Sequence, residues 1–400
     1  MPWKEPYQNV QRWEFCQAVP QLAPRGFAAL CRRFGISRRT GYKWRRRAPE
    51  AIWRGWEDWS RRPHAGSRLA ARWQSVVLAA RRAHPRWGAR KLRWLLRRDH
   101  RHGPVPAVRT LHRWLQQAGV VPRRRRLPPG PWRRAPSPIQ ARRPNDVWTL
   151  DFKGPFRTAD GTRIDALTVR DAASHCLLAV TRVRGLSEAA VKTACQRLFR
   201  RYGRPRSLLM DRGAPWCGLG PYGWTRLSVW WLRLGIEPRF TRRARPQDNA
   251  AHEQMHRMLK AATAQPPAPT ARAQVRRFAR WRWHYNHERP HASLGERPPA
   301  HAYRASPRRY PVALITWTYP AHWSQVRVTR SGTIRWHGQL YSVGRAFHGS
   351  LLGLRGENAV YLGPHLLGQL ALNEGVLRPV RLDSIQRGRG CRPSLHPPQA

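Results

Sequence analysis

Three carboxylates stand out by where they fall along the chain. Asp151 ends the apolar run Val147-Trp148-Thr149-Leu150, and a buried carboxylate left uncompensated there would be costly, so it needs a cation, a partner or a cleft. Asp211 closes the short apolar run Leu208-Leu209-Met210 ahead of Arg212 and Gly213, at the carboxyl edge of a strand, where open α/β sheets build their sites. A turn-forming Asp is the competing reading at that position. Glu253 falls on a helical stretch from Asn249 to Ala262 with Met255, Met258 and Leu259 as inward positions, and by itself reads as a solvated charge. Clustered carboxylate oxygens hold hard divalent cations. Two such ions roughly 4 Å apart can neutralise the attacking and leaving oxygens when a phosphodiester is cut or joined. Asp165 and Asp171 are spare acids that read as surface or turn residues.

The elements that would carry these acids are mixed. Strand-like Val147 to Phe152, a turn at Ala159-Asp160-Gly161, and strands near Ile164 to Val169 and Cys176 to Thr181 predict an antiparallel meander. Ser187 can cap a helix running to about Tyr202, ahead of a buried strand at 207–210 and another near 238–241, which makes the segment mixed α/β. Beyond Pro307 short alternating strands, 325–329, 333–336 and 339–343, have the pattern of a small β-barrel.

Upstream of the acids the chain is basic and helical. Phe27 to Trp44 has the shape of a helix-turn-helix: Gly35 suits the turn, Ile36 packs inward, Ser37 caps the second helix, and Arg38, Arg39 and Lys43 face outward toward DNA. A generic two-helix packing unit is the competing reading. A second pair, 87–96 and 106–115, repeats the form, with Trp94 and Leu111 at core-facing spacing and Arg109 and Arg113 as the DNA candidates. Residues 122–144 are Arg- and Pro-rich and read as a basic linker able to lie along phosphates.

The net charge of +55 over 400 residues favours a polyphosphate partner. Only six of the 76 basic residues are lysine, and with 21 Trp and 36 Pro this bias fits a GC-rich coding sequence, so part of the charge carries no function. The acids are better placed: ten of the 21 lie from Asp146 to Glu253, where they would oppose phosphate binding unless something there needs carboxylates. The six cysteines show no CxxC pair and no zinc rhythm with histidine, so neither disulfides nor structural zinc are expected. His284, His287 and His291 lack a fourth ligand, and DNA contact or packing is the preferred reading, with 286–290 ending their helix. No apolar run is long enough to span a membrane and no signal core follows the start, so a cytoplasmic, nucleoid-associated protein is expected.

Four segments in order, Val147 to Gly154, Met210-Asp211-Arg212-Gly213, Arg245 to His256 and Tyr285-Asn286-His287-Glu288-Arg289-Pro290-His291, resemble the integrase-type transposases of bacterial insertion sequences, of the IS481 and IS3 groups in the retroviral-integrase superfamily. The resemblance runs from about Phe27 to Tyr361. It implies a ribonuclease-H-like core with Asp151, Asp211 and Glu253 converging on two Mg²⁺ (or Mn²⁺) ions. It further implies strand transfer onto double-stranded DNA, both terminal inverted repeats and target, by a homo-oligomer. Forty-one residues separate Asp211 from Glu253, more than is common in the superfamily, and the excess is expected as a helix and its approach loop in 216–234. Two positions depart from the pattern: Arg212 stands where Asn is usual and Ala250 where Gly is usual. The first could compete with a cation for the carboxylate, and the second could strain a helix start that used positive φ.

The expected organisation is therefore multi-domain: helix-turn-helix units at 1–60 and 61–121, the linker at 122–144, a ribonuclease-H-like α/β catalytic core at 145–305, a small β-barrel at 306–375 and a disordered tail at 376–400. The expected activity is metal-dependent DNA cleavage and strand transfer at the ends of an insertion sequence. The alternatives are a decayed copy that only binds DNA through its helix-turn-helix, and a ribonuclease-H-fold nuclease that cuts without joining.

Overall fold

The computed structural model describes residues 3, 7–21, 26–58, 68–99, 104–121, 141–218, 223–242, 249–371, 374–379 and 392–394. The linker at 122–144 lies outside them except for its last four residues. The chain divides into two units, Met1–Trp73 and Gln74–Ala400.

In the first unit, α1 (Gln8–Ala18), α2 (Phe27–Arg33) and α3 (Arg38–Arg54) enclose Phe15, Leu30, Cys31, Ile36 and Trp44. The turn between α2 and α3 forms as the sequence predicts. Gly35 has φ +63°, Ile36 is buried, and the Ser37 hydroxyl accepts from the Thr40 N–H at 3.2 Å. Gly41 lets α3 approach α1 and α2 closely: a Cβ there would sit 2.6 Å from Cys31 Sγ and 3.1 Å from the Phe15 and Phe27 rings. The next helix, α4 (Arg68–Ala83), runs across the division between the units.

The second unit continues with α5 (Ala89–Asp99) and α6 (Val108–Gln117), which bury Leu92, Leu96, Leu111 and Leu115. Trp94 is only partly covered, with the Arg98 guanidinium 5.3 Å above its ring. Then β1 (Val147–Arg157), β2 (Arg163–Asp171) and β3 (Leu177–Val183) form the antiparallel meander. After α7 (Glu188–Tyr202), capped by Ser187, β4 (Ser207–Met210) joins β1 in parallel. After α8 (Arg226–Arg233), β5 (Glu237–Phe240) joins β4 in parallel. The sheet order is β3-β2-β1-β4-β5.

Both faces of this sheet are covered. Trp148, Leu150, Leu167, Phe199, Leu208 and Trp231 pack on the α7–α8 side. Ile164, Ala166, Leu177, Met255, Leu259, Phe278 and Tyr285 pack on the other, under α9 (Ala250–Thr263) and α10 (Ala271–His287). That double burial explains why β2 reads as a near-continuous covered run rather than an alternating one. The arrangement is the ribonuclease-H-like core that the motif order implies.

After α11 (Pro299–Ala302) the chain becomes all β: β6 (Thr316–Thr318), β7 (Ser324–Arg327), β8 (Thr333–Trp336), β9 (Gln339–Ser342), β10 (Leu351–Arg355), β11 (Ala359–Leu362), β12 (His365–Ala371), β13 (Val376–Pro379) and β14 (Arg392–Ser394). Seven of these form a near-closed sheet in the order β7-β10-β11-β12-β13-β9-β8, closed around Ile334, Tyr341, Phe347, Leu352, Val360 and Leu370. The region expected as a disordered tail from 376 is corrected in part. β13 completes the barrel-like sheet beside β12, and β14 pairs with β6, because their backbone donors and acceptors find partners that local composition does not reveal. The rest of 380–400 lies outside the described residues.

Candidate active site

The acids come from three elements. Asp151 is the fifth residue of β1, paired opposite Thr168 of β2. Asp211 follows β4, on the strand that lies parallel to β1. Glu253 is in the first turn of α9. Asp211 and Glu253 are exposed and Asp151 is partly covered. Burial, with the negative charges of Asp211 and Glu253 added to it, pushes the Asp151 carboxyl up to about 7, against hydrogen bonds from the Phe152 backbone and Asn249. β4, which ends at Asp211, lies parallel beside β1, and Asn249 and His256 of the α9 segment reach the Asp151 carboxylate. Asp211 also serves its local turn, since the Gly213 N–H donates to its Oδ1 at 3.1 Å. The turn reading and the site reading of this residue are therefore compatible.

Behind Asp151 lies a buried polar network. Thr168 Oγ1 is 2.9 Å from the Asp151 carbonyl oxygen, 2.6 Å from His252 Nε2 and 2.7 Å from His256 Nε2. A hydroxyl has one proton, and the carbonyl can only accept, so that proton goes to Asp151 and both imidazoles must donate from Nε2. His252 Nδ1 then accepts from the Thr149 hydroxyl at 2.8 Å, a shorter contact than that hydroxyl's 3.3 Å to the Arg170 carbonyl. His256 Nδ1 is left with its lone pair 3.8 Å from Asp151 Oδ2. Burial keeps both rings neutral: His252 lies well below the ordinary histidine range, and His256 is held down to about 4 by burial together with Lys153. On the other side, the Asn249 side-chain amide donates to Asp151 Oδ2 at 3.1 Å.

Asp151, His252 and His256 form a group whose ligand atoms lie within 4.8 Å of one another. His252 is committed on both ring nitrogens, so the atoms free to face a cation here are the Asp151 carboxylate and His256 Nδ1. Sequence reasoning quoted His252, His256 and Asn249 within a motif without giving them roles. Their signal was the i, i+4 histidine pair flanking Glu253 on one helix face. Nothing local in the sequence marks Thr168.

The two departures from the family pattern are accommodated. Arg212 donates from Nε to the Thr241 carbonyl at 3.2 Å and lies over the Phe240 ring at 5.9 Å, which draws it toward β5. Ala250 is the first residue of α9 and is not among the described residues with positive φ, so the methyl group causes no strain there. The extra length before Glu253 contains α8 and its loop, as expected, and a capping box between Thr225 and Ser228 starts that helix.

The spare acids are structural and, against expectation, buried. Asp171 accepts from the Asn145 N–H, the Ser174 N–H and the Ser174 hydroxyl, which builds the turn after β2, while Asp165 pairs with Arg163 at 3.0 Å. His284 pairs with Glu288 at 2.6 Å and His287 donates to the Trp283 carbonyl, so neither is arranged to hold a metal. Cys16, Cys31, Cys176, Cys195 and Cys217 are free thiols, four of them buried. Among the DNA candidates, Arg38, Arg39, Arg109 and Arg113 are exposed. Lys43 is half-covered and bonded to Asp58 at 2.9 Å. No described helix is long and apolar enough to cross a membrane.

Comparison with known proteins places the same segment. Residues 141–246 and 234–299 match two families, each described as an integrase core domain. The chain is 30% identical over 223 residues to the insertion element IS476 uncharacterized 39.2 kDa protein of Xanthomonas euvesicatoria, a match covering 54% of this chain and 60% of that protein. It is 28% identical over 233 residues to the insertion element IS407 uncharacterized 31.7 kDa protein of Burkholderia multivorans, covering 57% and 80%. Among solved structures, the HTLV-2 integrase catalytic core domain in complex with magnesium aligns with 12% identity over 41% of this chain and all of that one, at a TM-score of 0.33. The chain spans 60% of the length of the Xanthomonas relative. The motif order and the sheet topology agree with the family matches: residues 141–299 are similar to integrase core domains, and the chain is similar to proteins of bacterial insertion elements.

Proposed function

We propose that this protein is a DNA transposase that cuts and joins strands at the ends of an insertion sequence, with Asp151, Asp211 and Glu253 as its catalytic acids. The observation that carries the reading is the convergence of three acid-bearing elements, with β4 parallel beside β1 and the α9 segment reaching Asp151 through Asn249 and His256; burial, with the charges of Asp211 and Glu253, raises the Asp151 carboxyl. Like charges held together in this way fit a divalent cation, and the carboxylate oxygens of the three acids suit Mg²⁺ or Mn²⁺. When bound, such ions neutralise charge on the attacking and leaving oxygens of a phosphodiester.

The chain's own residues position the acids. Asn249 holds one oxygen of Asp151 from the start of α9. Thr168 ties the Asp151 backbone to both α9 histidines, so the helix carrying Glu253 is fixed against the strand carrying Asp151. The exposure of Asp211 and Glu253 leaves the open side of the cluster to substrate. DNA recognition is assigned to Arg38 and Arg39 on α3 and Arg109 and Arg113 on α6, with Lys43 modulated by Asp58. Assembly as a homo-oligomer on DNA belongs to the same reading.

The test is incubation of the purified chain with labelled DNA from the ends of its own element and Mg²⁺ or Mn²⁺, beside a Glu253→Gln variant. Joined strands that disappear in the variant are expected. Cleavage without joining would identify a nuclease, and binding with neither product would leave a DNA-binding regulator.

A further inference from the structure

Two motifs remain unused by the acids: Trp87-Gly88-Ala89-Arg90-Lys91 at the start of α5 and Tyr285 to His291 at the end of α10. They meet in the fold. Arg170 of β2 is 4% exposed. One of its terminal nitrogens is shared with His175 Nδ1, and its Nε is buried without a partner. His175 faces the Ser293 hydroxyl at 2.8 Å and stacks on His291, with ring centroids 5.6 Å apart. His291 meets the Tyr285 ring at 5.1 Å, and its Nε2 is also buried without a partner. Arg289, half-buried, has a third unpartnered buried nitrogen, Nε.

Lys91 completes the group from α5. It is half-buried, and its ammonium has neither a hydrogen bond nor an ion pair among the described residues. Burial and then Arg289 bring its ammonium down to about 8, with Glu296 opposing them. Burial pushes the His291 ring down to about 3, with His175, Arg289, Lys91 and Arg170 adding to it in that order. None of the nearby acids forms an ion pair with these cations among the described residues, and Glu288 is paired with His284. Asp171 spends its oxygens on Asn145 and Ser174, and Glu296 makes no ion pair among the described residues. A cavity of about 540 Å³ lined by Trp87, Trp281, Tyr285, Glu288 and Arg289 opens at the Arg289 side of the cluster.

Three cations, with two guanidinium N–H donors lacking acceptors and a buried imidazole nitrogen lacking a partner, are an incomplete arrangement. A tetrahedral oxyanion supplies both the missing charge and several acceptor lone pairs in one group. We propose that Lys91, Arg170, Arg289 and His291 form a phosphate-binding site between α5 and the end of α10, separate from the acid cluster. The phosphate group is that of a DNA backbone or a free phosphate. Only the DNA source rests on the transposase reading.

The experiment measures thermal melting of the full chain in inorganic phosphate against chloride at equal ionic strength, for the wild type, Lys91→Gln and Arg289→Gln. Arg197→Gln, at an exposed position of α7, sets the response of the general positive surface. Binding of a generic duplex is then followed against salt for the same proteins. Phosphate is expected to raise the melting temperature of the wild type and of Arg197→Gln, and to lose most of that effect in both site variants. In chloride, Lys91→Gln should melt no lower than the wild type, since it removes one cation from a cluster of cations.

If the source is DNA, each site variant lowers the slope of log K against log salt by about 1. An unchanged slope with a lost phosphate response assigns the site to free phosphate and leaves the transposase reading untouched. An undiminished phosphate response in both variants, or a clear loss of stability of Lys91→Gln in chloride, would overturn the proposal and make the cluster a packing contact.

Discussion

Thr168 shows how much one hydroxyl can organise. It bridges a β1 carbonyl and two α9 imidazoles, and through them it fixes which nitrogen of each ring carries the proton. Thr168→Val keeps the shape and removes the oxygen, leaving two buried imidazole N–H groups without an acceptor. At ~1–3 kcal/mol for each of the two unsatisfied groups, chemical denaturation should show a loss of about 2–6 kcal/mol. A loss below about 1 kcal/mol would mean that the histidines find other partners. Metal-dependent joining should fall with it, because the Asp151 backbone is part of the same network.

At the scale of elements, the packing of α3 against α1 and α2 depends on Gly41. Gly41→Ala drives a methyl into Cys31 Sγ and two phenyl rings, an overpacking that costs about 1–3 kcal/mol. The thermal transition of the first unit should fall while that of the second stays in place, which calorimetry can separate. Asp58 sets a second control on α3. Its carboxylate takes the Lys43 ammonium at 2.9 Å and the buried Arg12 at 2.8 Å, while the Arg12 guanidinium also lies over the Trp44 ring at 4.4 Å.

The Lys43 hydrogen bond, aided by Arg12, lowers the Asp58 carboxyl from its ordinary 3.8. A group lowered in the folded state contributes stability that is present above 3.8 and is lost as pH falls through the folded value. Asp58→Asn should therefore destabilise the first unit at pH 7, chiefly by leaving Arg12 unpaired, and the gap between wild type and variant should close in acid below pH 3.8. A gap that persists at low pH would assign the loss to packing. The variant also releases Lys43, so duplex binding should tighten slightly even as stability drops.

At the scale of the molecule, a net charge of +55 with ten of the 21 acids lying from Asp146 to Glu253 separates two tasks. On the proposed reading the field attracts polyphosphate, and the acids around Asp151 take the cations. Binding to a generic duplex should weaken by about 10³-fold or more between 50 and 200 mM salt, as for a protein making six or more phosphate contacts. A shallow dependence would mean that most of the arginine is compositional. Divalent cation should act oppositely to monovalent salt at the acid site. Mg²⁺ is expected to raise the melting temperature of the wild type but not of Asp151→Asn, because a ligand stabilises only the state that binds it.

The order of acids along the chain, the mixed α/β character of the segment around them, the helix-turn-helix shape of 27–44 and the strand-rich C-terminal region were legible in sequence. Each rests on local physics: hydrophobic period, caps, and glycine at a positive φ. The carboxylates could be singled out because Asp151 and Asp211 interrupt or end apolar runs, whereas Glu253 needed its motif. Tertiary structure alone decided the rest. Thr168 meets His252 and His256 across more than eighty residues of chain, and no spacing rule connects a strand threonine to a helix that far away. β13 and β14 form because β12 and β6 offer edges to them, although their own composition favours no regular structure. Lys91 and Arg289 converge only when α5 lies beside the end of α10. Sequence records which side chains can do chemistry, but whether two of them share a site depends on long-range pairing, and that is settled by the packing of strands and helices against one core.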